Sequence, residues 1–118
     1  MSLPIARIIL YVKDIPKVAA FYQRHFGMIP LAGQTVGWLE LSGTGGGCNL
    51  ALHQAARTQR SGAAVKIVFA VRDVSGFAAK CEAAGLKFGP IHKAEGFEYA
   101  NAKDPAGNSI SISSRGLR

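Results

Sequence analysis

The chain has 118 residues, 48% of them hydrophobic and 18% charged, with 14 Gly and 5 Pro. That length is one domain's worth, and the apolar fraction is enough to build a core, which excludes disorder as the main state. Lys and Arg total 14 against 7 Asp and Glu, a net charge of +7 with His neutral. The basic residues are scattered from Arg7 to Arg118, nowhere denser than Arg57-Thr58-Gln59-Arg60, so no nucleic-acid partner is expected and the excess reads as solvated surface. No apolar run approaches the roughly 20 residues of a membrane-spanning helix. Met1-Ser2-Leu3-Pro4 lacks the basic flank and apolar stretch of an export signal, and Cys48 and Cys81 form no CxxC pattern. The expectation is a cytoplasmic protein with two buried thiols and no membrane association.

The first expected strand is Arg7-Ile8-Ile9-Leu10-Tyr11-Val12, ending at Asp14, which can N-cap a helix running to about Phe26 and stopped by Gly27. Pro16 sits just inside that helix, where its missing N–H costs little. Short strands follow at about Ile29–Gln34, Gly37–Ser42 and Cys48–Gln54, with Gly43-Thr44-Gly45-Gly46-Gly47 as a turn. This glycine run is not a phosphate loop, because no Lys-Ser/Thr and helix follow it. Residues 55–62 read as a polar linker.

The second half repeats the first. Lys66-Ile67-Val68-Phe69-Ala70-Val71-Arg72-Asp73-Val74 matches Arg7-Ile8-Ile9-Leu10-Tyr11-Val12-Lys13-Asp14-Ile15, position for position, 59 residues further on. A helix over about Ser75–Ala84 closed by Gly85 is expected next. Strands then follow at about Lys87–Ile91, Phe97–Lys103 and Ser109–Ser114, with Asp104-Pro105-Ala106-Gly107-Asn108 as the last turn. The reading is an α+β fold of two βαβββ modules, residues 5–54 and 63–114, within one domain over 1–118.

The two strand-Asp-helix openings and the Asp104-Pro105-Ala106-Gly107-Asn108 turn resemble the vicinal oxygen chelate superfamily, which holds glyoxalase I, extradiol dioxygenases and the fosfomycin- and bleomycin-resistance proteins. The resemblance covers the whole chain. It implies a curled mixed sheet around a cup, completed in a homodimer. It also implies metal ligands, usually His, seven residues before each Asp, with a Glu in the strand after the last turn. Those positions hold Arg7, Lys66 and Ser111, and the remaining one is Ala51 or His53, depending on register. Neither a guanidinium nor an ammonium has a lone pair for a cation. No metal and no cofactor is therefore expected.

Strand alternation puts Arg7, Ile9 and Tyr11 on one face, with Lys66, Val68 and Ala70, with Trp38, Glu40 and Ser42, and with Ser109, Ser111 and Ser113 on the corresponding faces. Tyr99 and Asn101 join them in one of the two registers open to Phe97–Lys103. Two readings of Arg7 and Lys66 stand open. In one they form an anion-binding floor, with Tyr11 and Trp38 stacking an aromatic portion. In the other Glu40, with Glu98, neutralises them. The first makes the chain a metal-independent binder of a small anionic or aromatic-anionic molecule, one that would repel cationic drugs of the bleomycin type. The alternative is a glyoxalase-type lyase or isomerase, for which Glu40 and His53 are the candidate bases. His25 and His92 read as surface or interface residues.

Overall fold

The chain divides into two compact units, Met1–Ser61 and Gly62–Arg118. The computed structural model describes residues 5–59, 65–115 and 117. The expected linker's last residues and the first two of the second module, 60–64, lie outside the described residues.

In the first unit β1 (Arg7–Val12) has the alternation of a half-buried strand: Leu10 and Val12 are buried, and Arg7, Ile9 and Tyr11 are exposed. Asp14 ends it and caps α1 (Ile15–Phe26), its carboxylate accepting from the Lys17 N–H at 3.1 Å. Gly27 terminates the helix with φ +66°, a conformation that glycine adopts without the Cβ clash. The helix buries Val18, Ala19 and Tyr22 and packs on β3 (Trp38–Ser42) and β4 (Asn49–Gln54). The sheet order is β1-β4-β3-β2, with β4 parallel to β1 and antiparallel to β3. The buried face of the sheet carries Leu10, Val12, Leu41, Leu50 and Leu52.

The strand expected over Ile29–Gln34 shortens to β2 (Ile29–Pro30). Pro30 has no N–H for a ladder, and four positions later the Gln34 side chain takes the strand's place: its Oε1 accepts from the Glu40 N–H at 2.9 Å and its amide donates to the Leu31 carbonyl.

The second unit repeats this plan. β5 (Lys66–Ala70) leads to α2 (Val74–Ala83), whose cap Asp73 accepts from the Gly76 N–H at 3.0 Å. The sheet order is β5-β8-β7-β6, with β8 (Ser109–Ser113) parallel to β5 and antiparallel to β7 (Phe97–Lys103). α2 packs on β7. Every residue of the central strand β8 is buried. The strand expected over Lys87–Ile91 is not formed; pairing begins at β6 (His92–Ala94). Pro90 removes a donor there, and Gly89 makes a single backbone bond, N–H to the Asn101 carbonyl at 2.9 Å.

The turn between β7 and β8 is built on Asp104, which is 4% exposed. Its Oδ1 accepts from the N–H groups of Ala106 and Asn108 at 2.9 and 2.8 Å, and its Oδ2 accepts from the Asn108 amide at 3.0 Å. Gly107 takes φ +87° inside that loop. The architecture of the described residues is thus α+β, two helices with eight strands in two mixed four-stranded sheets.

Candidate functional site

On the first sheet the register sets Arg7 beside Asn49, Ile9 beside Ala51 and Tyr11 beside His53, while Glu40 pairs Ala51 and Trp38 pairs His53. These side chains share the face opposite α1. At one end Glu40 Oε2 accepts from Arg7 Nε at 3.0 Å and from Asn49 Nδ2 at 2.9 Å. Those bonds, the Asn49 amide first and the Arg7 guanidinium next, hold the Glu40 carboxyl below its ordinary range against the opposing effect of desolvation. The Glu40 side chain is 13% exposed and that of Arg7 46%, so the carboxylate is the more enclosed partner of the pair. At the other end Tyr11, His53 and Trp38 form a row across three strands. The centroid of the His53 ring lies 5.1 Å from that of Tyr11 and 5.9 Å from that of Trp38.

On the second sheet Lys66 pairs Ser109, Val68 pairs Ser111 and Ala70 pairs Ser113, with Asn101 beside Ser111 and Tyr99 beside Ser113. That register places Tyr99 and Asn101 with Lys66 and the serines. This face lines a hollow of about 590 Å³, with Lys66, Phe97, Tyr99, Ser111, Ser113 and Arg115 in its lining together with the smaller Val68, Ala70 and Ala94. Lys66 Nζ donates to Asn101 Oδ1 at 3.0 Å, and the Arg115 guanidinium lies over the Phe97 ring at 5.3 Å. Among the described residues that line it there is no carboxylate. Glu98 stands 4.0 Å from Lys93, so the pairing with Lys66 open to it in the sequence is not the one seen. Ser111, 2% exposed, donates to the Ala100 carbonyl at 3.0 Å and so offers the hollow a lone pair rather than a proton.

Arg115 and Phe97 were not among the sequence candidates. The signal for Arg115 was available: the alternation Ser109, Ser111, Ser113 reaches it at the next same-face position. His25 packs edge-on to Phe21, with burial and then the Arg24 charge lowering its pKa, and His92 stacks on Tyr99 at 4.9 Å. Burial raises the pKa of the Cys81 thiol, which argues against a nucleophile there.

The register also decides between Ala51 and His53. Ser111 pairs Val68 and Ala51 pairs Ile9, and Val68 is the repeat counterpart of Ile9. The first-half counterpart of Ser111 is therefore Ala51, a methyl group without a donor atom. Among the described residues no group of three or more His, Cys, Asp or Glu side chains is placed to hold a metal ion. An arginine, a lysine, a serine and an alanine do not fit a divalent ion.

The model of the Glyoxalase/Bleomycin resistance protein/Dioxygenase superfamily matches residues 4–112, and the chain belongs to that superfamily. Among solved structures it is similar to TnmS3, an antibiotic binding protein from Streptomyces sp. CB03234, with TM-score 0.78 and 23% identity over 95% of this chain and 96% of that one. It is similar also to a lactoylglutathione lyase from Agrobacterium tumefaciens, with TM-score 0.72 and 23% identity over 92% and 91% of the two chains. The fosfomycin resistance protein FosX from Listeria monocytogenes superposes with TM-score 0.80 and 17% identity over 99% and 97%. At these identities the likeness speaks for the fold. No curated protein is matched.

Proposed function

We propose that the chain is a metal-independent binding protein for a small anionic, aromatic molecule, seated in the hollow of the second sheet. The observation that carries this is the charge of the lining: Lys66 and Arg115 stand at a hollow that no carboxylate of the described residues lines, beside the rings of Phe97 and Tyr99. Two cations against no anion favour a carboxylate or phosphate, and the rings favour a flat apolar body attached to it. Arg7 serves less directly, since Glu40 already holds its Nε. That an antibiotic binding protein shares the fold supports a binding role on this scaffold. A lyase or isomerase working through a divalent ion would need donors that Arg7, Lys66, Ser111 and Ala51 do not supply. A homodimer in the cytoplasm belongs to the same proposal.

Calorimetric titration with 2-naphthoate tests it. We expect binding that is unchanged by EDTA, and that weakens about tenfold in Lys66→Met and in Arg115→Met, the loss of one charge-assisted bond. Affinity in both variants unchanged from that of the unaltered protein would overturn the anion site. Stoichiometric nickel, zinc, iron or manganese in protein purified without added metal, with turnover abolished by chelation, would overturn metal independence.

A further inference from the structure

The face of the first sheet opposite α1 carries an acceptor of its own in the ring row of Tyr11, His53 and Trp38. The imidazole of His53 bonds through Nδ1 to the Gln54 carbonyl at 2.9 Å, and a carbonyl can only accept. In the neutral ring the proton is therefore on Nδ1, and Nε2, the outer nitrogen, carries a lone pair. The neighbouring Gln54 side-chain amide is engaged on the Lys13 carbonyl at 3.0 Å. Tyr11, 44% exposed, and Trp38 flank His53 on the two neighbouring strands, so the imidazole stands in the middle of a row of three rings.

We propose that Tyr11, His53 and Trp38 form a seat for a planar ring bearing a hydroxyl or N–H donor, with His53 Nε2 as the acceptor that selects it. The rings supply aromatic contact area, Tyr11 tilted by 46° and Trp38 edge-on at 87° to the imidazole, and the fixed tautomer supplies one acceptor. A ligand that lacks the donor leaves that lone pair desolvated and unpaired. The seat lies within the first unit and stands or falls apart from the anion hollow of the second.

The test compares 2-naphthol with 2-methoxynaphthalene, which has the same rings and no donor. Calorimetry on the whole chain is expected to favour 2-naphthol about fivefold, the worth of one neutral hydrogen bond. Trp38 is the single tryptophan, so its indole N–H resonance reports occupancy of this face and should shift with either compound. His53→Phe keeps a ring and removes the acceptor, and should abolish the preference while leaving 2-methoxynaphthalene binding in place. A preference that survives in H53F, equal affinities in the unaltered protein, or a Trp38 resonance that does not move would each overturn the proposal. Should H53F fail to fold, long-range nitrogen–proton NMR of the unaltered protein decides the same point. A neutral His53 carrying its proton on Nε2 ends the proposal; one carrying it on Nδ1 upholds the acceptor.

Discussion

Arg7 stands where the superfamily resemblance implies a metal ligand, and its Nε is bonded to Glu40, with Asn49 sharing the same carboxylate oxygen. Because these partners depress the Glu40 pKa in the folded chain, the ion pair adds stability above the ordinary carboxylate value of 4.5 and loses it as pH falls through the lower folded value. We expect the urea midpoint of the unaltered chain to drop as pH falls from neutral past 4.5. Glu40→Gln should be less stable at neutral pH and flatter across that acid range. Parallel curves for the two proteins would show that the pair contributes nothing. Neither reading of Arg7 and Lys66 could be chosen in the sequence, because a cation's partner depends on cross-strand register. Asn49, two residues before Ala51 and four before His53, completes the Glu40 arrangement only because β4 runs parallel to β1.

Helix starts were the most legible elements, since an Asp followed by a helical apolar stripe carries its own chemistry in adjacent residues. Both caps form as expected, at Asp14 and Asp73. Strand limits were less so. Ile29–Gln34 and Lys87–Ile91 have strand-like composition, yet Pro30 and Pro90 remove ladder donors, and the Gln34 side chain substitutes for backbone pairing. The turn from β7 to β8 was read correctly as a turn, but its strength lies in contacts that only coordinates show. Asp104→Ala leaves the Ala106 and Asn108 N–H groups without their acceptor, and should cost about 2–4 kcal/mol. Urea unfolding measures it. A loss under about 0.5 kcal/mol would mean that water replaces the carboxylate at no net penalty.

Across the whole molecule the repeat is the organising fact: the strand order β1-β4-β3-β2 of the first unit recurs as β5-β8-β7-β6 in the second. The two copies have diverged in charge. In the first a carboxylate answers the arginine, whereas in the second Lys66 has an amide for a partner and Arg115 a ring. On a chain of net charge +7, an anion drawn to the second copy should also feel the wider field. We expect 2-naphthoate to bind more weakly as salt rises from about 20 to about 500 mM, while neutral 2-naphthol is little affected. Equal salt dependence for the two would mean that the hollow selects by shape alone.

The linear order of residues was sufficient for the repeat, the helix caps, the two-residue alternation and hence the superfamily, because each of these rests on neighbours within a few positions. Whether Tyr99 and Asn101 join Lys66, whether Ala51 or His53 matches Ser111, and where Arg115 ends up were decided by tertiary structure. Those answers depend on how one strand slides against another, and a slip of one residue turns every side chain to the opposite face.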